Sequence, residues 1–319
     1  MRAFIFPGQG SQSVGMGAAL SAASPHAREV FQEVDEALGQ KLQRLMAEGP
    51  AEDLLLTENA QPAIMANAIA TLRVLERDGN VTLADKADYV AGHSLGEYSA
   101  LCAAAALDLS TTARLLKVRG RAMQAAVPVG EGAMAALLGA DVEKAGVIAG
   151  AAVDAILAEM GETLVCTVAN DNDPTQVVIS GHRVAVERAV ALAKDMGAKR
   201  ALLLPVSAPF HCSLMEDAAV AMEAALLDAD LRAPLVPVFA NVDAVAVAEP
   251  GAIRHLLVQQ VTGRVRWRES VLAMAAAGVT EFVEFGGKVL APMVKRIAPD
   301  VAAVSVVTMD DLEALAKGL

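Results

Sequence analysis

Aromatic side chains are scarce in this chain: they make up 3% of 319 residues, although 55% of the residues are hydrophobic. The interior must therefore be built mostly from Ala, Val, Leu and Met. Cysteine is equally sparse, and Cys102, Cys166 and Cys212 are odd in number with no C-x-x-C spacing. That pattern excludes a disulfide framework and a cysteine zinc site, and it fits a reducing cytoplasm. Positive charge is also short, with 26 Lys and Arg against 38 Asp and Glu and a net charge of −12. A general nucleic-acid binder needs the opposite balance, although a local basic patch could still hold an anionic ligand. No apolar stretch of membrane-spanning length is free of charge and glycine, and the apolar start in MRAFIFPGQG stops at Pro7, too soon for a signal peptide. The expectation is a soluble cytoplasmic protein with no membrane or nucleic-acid partner, large enough to bury a substantial core.

What is present is an alternation of strands and helices. Ala3–Phe6 and Asp88–Gly92 read as buried strands, and helical periodicity covers Ala27–Leu38, Leu42–Met46, Gln61–Arg77, Gly96–Ala106 and Thr111–Ala126. This order predicts a parallel sheet covered on both faces. The character then changes. A strand (133–138), a helix (141–160, weakened at Gly146 and Gly150), two strands (164–169 and 176–180) joined by the turn-like NDNDP, a helix (182–196) and a strand (200–205) follow. That βαββαβ order predicts a small ferredoxin-like domain over residues 128–203, inserted into a large hydrolase-like parallel-sheet α/β domain made of residues 1–127 and 204–319. The large domain resumes with helices over 216–228, 252–261 and 267–277, strands over 236–241 and 281–284, and a last helix after Gly287. There are no internal repeats.

Residues 91–98 read AGHSLGEY, with Ser94 between Gly92 and Gly96. A G-x-S-x-G arises by chance in about one chain in fifteen of this composition, but here a strand precedes it and a helix follows. That is the setting of a nucleophile elbow, a tight turn that exposes a serine hydroxyl. The helix start aims free N–H groups and a positive dipole end at charge near the serine. A helix N-cap with packing glycines is the plainer reading.

A nucleophilic serine needs a base. His93 adjoins Ser94 in sequence and should point elsewhere, His26 and His255 sit on solvated helical faces, and His182 follows a Ser-Gly turn. His211, in SAPFHCS after a strand and Pro209, lies where an α/β sheet presents catalytic loops. No acid follows from the hydrolase order Ser, Asp or Glu, His: Asp171 and Asp173 occupy a segment that looks like a turn, and Asp217 and Asp243 come after the histidine. A backbone carbonyl on Nδ1–H can orient a base equally well.

Seven stretches in order, FPGQGSQ (6–12), GHSLGEYSAL (92–101), RGRAM (119–123), ANDN (169–172), SAPFH (207–211), QQVTGRVRW (259–267) and GKVL (287–290), resemble the malonyl-CoA:acyl-carrier-protein transacylase family over nearly the whole chain. The resemblance implies that Ser94 attacks a malonyl thioester and that His211 is the base. The backbone N–H groups of Gln9 and Leu95 would form the oxyanion hole, Arg119 would grip the malonyl carboxylate, and the Gln260 carbonyl would orient His211. His93, Asn170 and Phe210 would have secondary places at the site, Phe210 narrowing it against α-branched acyl groups. The resemblance further implies malonyl-CoA and acyl carrier protein as partners, no metal or other cofactor, and a monomer. On local grounds alone Arg119 reads as a solvated helix arginine, Gln260 as a surface glutamine and Asn170 as a turn residue. Lys194, Lys199, Arg200, Arg264, Arg266, Lys288, Lys295 and Arg296 are candidates for CoA phosphates or an acidic carrier. Two segments depart from the family pattern: EFGGKVL looks one residue short, and 141–160 looks long. An acyltransferase of a polyketide pathway and a serine esterase or thioesterase are the alternatives.

Overall fold

A computed structural model describes residues 1–319. Its strands, in chain order, are β1 (Arg2–Phe6), β2 (Tyr89–Gly92), β3 (Gly132–Leu138), β4 (Cys166–Asp173), β5 (Gln176–His182), β6 (Arg200–Leu203), β7 (Val238–Phe239), β8 (Ala246–Val247), β9 (Glu281–Phe285) and β10 (Ala302–Val306). One sheet has the order β10-β9-β1-β2-β7-β8 and is parallel except for β8, which pairs antiparallel at the edge. β1 is apolar along Ala3–Phe6 and fully buried, as a parallel strand covered on both faces must be. Phe4 and Phe6 pack against Phe285 of β9, so three of the few aromatics meet at the centre of this sheet.

The second sheet, β4-β5-β3-β6, is wholly antiparallel and draws its strands from residues 132–203. Helices Val142–Met160 and Arg183–Ala193 pack on it through a core of its own, rich in alanine. The fold is thus mixed α/β, with a mainly parallel sheet and a βαββαβ unit beside it. Gly146 and Gly150 do not interrupt the 19-residue helix, whose start is fixed by Asp141 accepting the Lys144 N–H.

Several elements differ from expectation. NDND is not a turn: β4 runs through Asp173, and only Pro174 and Thr175 turn the chain. Local turn preference loses because both aspartates find arginines far away in sequence. The helix after Gly287, Leu290–Ile297, is not the last element, since β10 and helix Met309–Gly318 follow it. Their turn chemistry is plain in hindsight: Thr308 and Asp311 cap that helix reciprocally. The helix after the elbow ends at Ala103, and the strand expected over 236–241 is only Val238–Phe239.

The two glycines of the elbow are demanded by contact. A Cβ on Gly92 would lie 1.9 Å from the Gly96 carbonyl group, and one on Gly96 would lie 2.2 Å from the Phe6 carbonyl oxygen. Helix Gly96–Ala103 therefore sits directly against β1 and β2. Gly92→Ala must push backbone against backbone, and we expect it to destabilise the protein by about 3 kcal/mol, the upper range for overpacking. A urea midpoint within error of the parent protein would refute this.

Candidate active site

Ser94 follows β2 with φ +54°, a left-handed conformation that a residue with a side chain rarely adopts. His211 has φ +59°. Strain of this kind persists only where surrounding contacts enforce it. At Ser94 the enforcing residue is Asn241, just after β7, whose Oδ1 accepts the Ser94 N–H at 2.7 Å while its Nδ2 donates to the Gly92 carbonyl at 2.7 Å.

The two strained residues meet, with Ser94 Oγ 2.8 Å from His211 Nε2. On the other side of the ring, Nδ1 lies 2.8 Å from the Gln260 carbonyl and 3.1 Å from that of Gly263. Both are acceptors only, so Nδ1 carries the proton and Nε2 is left to take the serine hydrogen. The acid that a hydrolase triad would supply is replaced by two backbone carbonyls at the end of helix Pro250–Thr262. Burial, and then the charge of Arg119, push the His211 pKa down to about 3 from the usual 6.5. The resting base is neutral.

Arg119 projects from helix Leu109–Ala125 and is 1% exposed, not solvated. Nη1 donates to Gln61 Oε1 at 2.8 Å, and Nη2 donates to Gln260 Oε1 at 2.9 Å and to Ser94 Oγ at 3.1 Å. Nε has no partner, and every acceptor around the guanidinium is neutral. A buried cation hydrogen-bonded only to neutral groups and touching the nucleophile, with the buried Glu97 carboxyl acting on it at longer range, suits an anionic group on a ligand. Gln260 is fully buried rather than a surface residue. Its Nε2 donates to the Ser94 carbonyl at 3.0 Å and to Glu97 at 2.9 Å. Glu97 also accepts the Asn241 N–H at 2.9 Å, and burial pushes its carboxyl pKa up to about 7.

Ser94, His211, Arg119 and Gln61 line a cavity of about 450 Å³ that the small sheet also borders through Met134 and Val178. Gln9, Leu95, His93, Asn170 and Phe210 all border it. The Gln9 and Leu95 backbone N–H groups have no acceptor within the chain, which suits an oxyanion hole. His93 does not point idly away: its Nε2 lies 2.8 Å from Asn172 Oδ1. Asn170 sits in β4 rather than in a turn, bridged to Val265. Of the basic candidates, Arg264 and Arg266 pair with Glu269, and Arg296 pairs with Asp173, so these three are not free charges. Neither His26, His182 nor His255 reaches the cavity.

Sequence reasoning did not find Gln61, Glu97, Asn172, Gly263 or Asn241. Glu97 and Asn172 lay inside quoted motifs, and Asn172 follows from Asn170 once the segment is read as a strand, because alternate residues share a face. Gln61 and Asn241 carry no local signal.

Fold and site together define a serine acyltransferase: an elbow serine, a neutral histidine held by carbonyls, and a buried arginine beside the serine hydroxyl. The chain belongs to the family of the acyl transferase domain, whose model matches residues 3–286, and within it to the malonyl CoA-acyl carrier protein transacylases. It is 46% identical over 302 residues to the Malonyl CoA-acyl carrier protein transacylase of Escherichia coli (strain K12), covering 94% of each chain. The crystal structure of acyl-carrier-protein-S-malonyltransferase from Bartonella henselae superposes with a TM-score of 0.94 at 51% identity, over 99% of this chain and 98% of that one. A malonyl-transacylase in complex with its type II PKS acyl-carrier protein aligns with a TM-score of 0.93 at 39% identity, over 100% and 99%.

Proposed function

We propose that the protein moves a malonyl group from malonyl-CoA to the phosphopantetheine thiol of an acyl carrier protein, supplying fatty-acid elongation. The observation that carries this reading is Arg119, a buried cation hydrogen-bonded to no carboxylate of the chain and 3.1 Å from Ser94 Oγ, where only a carboxylate-bearing acyl group makes use of it. Ser94 Oγ attacks the thioester carbonyl and passes its proton to His211 Nε2. The oxyanion rests on the Gln9 and Leu95 N–H groups. Collapse expels the CoA thiolate, which takes the proton from His211, leaving malonyl-Ser94. The carrier thiol then gives its proton to His211 and attacks the ester, and the Ser94 alkoxide is reprotonated as the malonyl thioester leaves.

Each developing charge has a partner among the chain's own groups, so the reading calls for neither a metal nor a further cofactor. We further propose a cytoplasmic monomer with no nucleic-acid partner. The net charge of −12 supports the last point, and no helix is long and apolar enough to cross a membrane. A carrier of a polyketide pathway would use the same chemistry. An esterase would have no use for Arg119.

The test is intact-protein mass analysis after incubation with malonyl-CoA. A malonyl adduct on the Ser94 peptide, absent in Ser94→Ala and discharged by added holo carrier protein, is expected. Release of free malonate with no transfer to the carrier would replace the reading with a hydrolase.

A further inference from the structure

The small sheet meets the large domain along β4, and there the strand alternation sorts amides from carboxylates. Asn170 and Asn172 face the acyl cavity. Asp171 and Asp173 turn the other way, 0% and 1% exposed, and each meets an arginine of the large domain. Arg268 Nε lies 3.0 Å from both Asp171 oxygens, and its Nη2 lies 2.9 Å from Oδ2. Arg296 Nε and Nη2 both reach Asp173 Oδ2 at 2.8 Å, while Oδ1 accepts the Thr175 N–H and hydroxyl at 2.8 Å. Val265 closes the seam, donating to the Ala169 carbonyl at 2.8 Å and accepting the Asp171 N–H at 2.9 Å.

The carboxylates are buried while the Arg268 and Arg296 side chains stay 28% and 45% exposed, and ion pairs of this kind are poor devices for stability alone. They are directional, however, and both carboxylates lie on the strand whose Asn170 and Asn172 line the cavity. Arg296 belongs to helix Leu290–Ile297, whose Leu290 and Met293 line the cavity, while Met134 and Val178 of the small sheet line it too. The same strand that carries Asp171 and Asp173 also holds His93, beside the nucleophile, through Asn172. Spacing across the seam and spacing across the acyl cavity are therefore one quantity.

We infer that the Asp171–Arg268 and Asp173–Arg296 pairs set the width of the acyl cavity and so determine acyl specificity, excluding a malonyl group with an added α-methyl. The four are positioning residues: they fix β4 against the large domain and touch no substrate. The inference rests on the acyl transfer proposed above.

The test compares the rates at which malonyl-CoA and methylmalonyl-CoA acylate Ser94, read by intact mass, with melting temperatures measured alongside. Asp173→Asn/Arg296→Met removes both charges, leaves no lone charge buried and keeps an acceptor for Thr175. The rate ratio is expected to move toward methylmalonyl by about tenfold, the scale of one methyl group in a tight pocket. Arg296→Lys, which keeps the charge, should stay nearer the parent ratio. Ile148→Val, within the small domain's own core, should lower stability without moving the ratio. If the first double variant does not fold, Asp171→Asn/Arg268→Met carries the same expectation. An unchanged ratio in a double variant that still takes malonyl overturns the inference, as does an equal shift in Ile148→Val. Wild-type protein that takes neither acyl group defeats the functional reading itself, a distinguishable failure.

Discussion

His211→Ala is expected to cut the acylation rate by malonyl-CoA on the order of 10⁶-fold, the scale seen when one member of a serine–histidine unit is removed. His211 Nε2 is the basic atom placed 2.8 Å from Ser94 Oγ, and the two carbonyls on Nδ1 leave it no other tautomer. The pH profile tests the same geometry more finely. Because the His211 pKa is pushed down to about 3 from 6.5, kcat/KM for malonyl-CoA should show no acid limb from this base near pH 6.5. In Glu97→Gln, which removes a carboxyl pushed up to about 7, the profile should stay flat well below pH 6.5. Stability carries the matching sign. Between 6.5 and about 3 the unfolded chain binds the proton that the folded one refuses, so this contribution is complete above 6.5 and is lost as the pH falls toward 3. A limb at 6.5 that persists in Glu97→Gln would contradict the buried, neutral base.

Arg119→Ala should lower kcat/KM for malonyl-CoA by about 10²–10³-fold, the effect of removing one partner from a desolvated charge pair. Acetyl-CoA, which has no carboxylate to place, should acylate Ser94 as well as before or better. Arg119→Lys should rescue little, because an ammonium cannot reproduce the planar fork that now reaches Gln61, Gln260 and Ser94 at once. The variant has a second signature: Arg119 lowers the His211 pKa, so its removal should move any acid limb upward. Equal loss with both acyl donors would mean that Arg119 serves the architecture of the elbow and not the carboxylate.

The mainly parallel sheet was legible because its strands are short apolar runs closed by Pro-Gly or by the elbow itself. The small βαββαβ sheet was legible from its order of elements. NDND was misread because aspartate and asparagine favour turns locally, whereas Asp171 and Asp173 answer to Arg268 and Arg296, 97 and 123 residues away. β10 was missed because its five residues alternate weakly, with Val304 exposed on a strand that pairs on one side only, with β9.

The sequence by itself made Ser94 the nucleophile candidate, because Gly92, Ser94 and Gly96 are neighbours between a strand and a helix; Asn241 and the Phe6 carbonyl, both distant in sequence, fix the geometry of that turn. The position of His211 after a strand and proline was also determined locally, as was the absence of a triad acid. Only the tertiary structure decided what Arg119 and Gln260 are, because each looks like an ordinary helix residue until its surroundings are known. Burial strips Arg119 of water and gives its guanidinium only neutral hydrogen-bond partners, with the Glu97 carboxyl reached through Gln260. Gln260 turns its carbonyl to the base and its amide to the nucleophile, a junction made by parts of the chain that meet only when it folds.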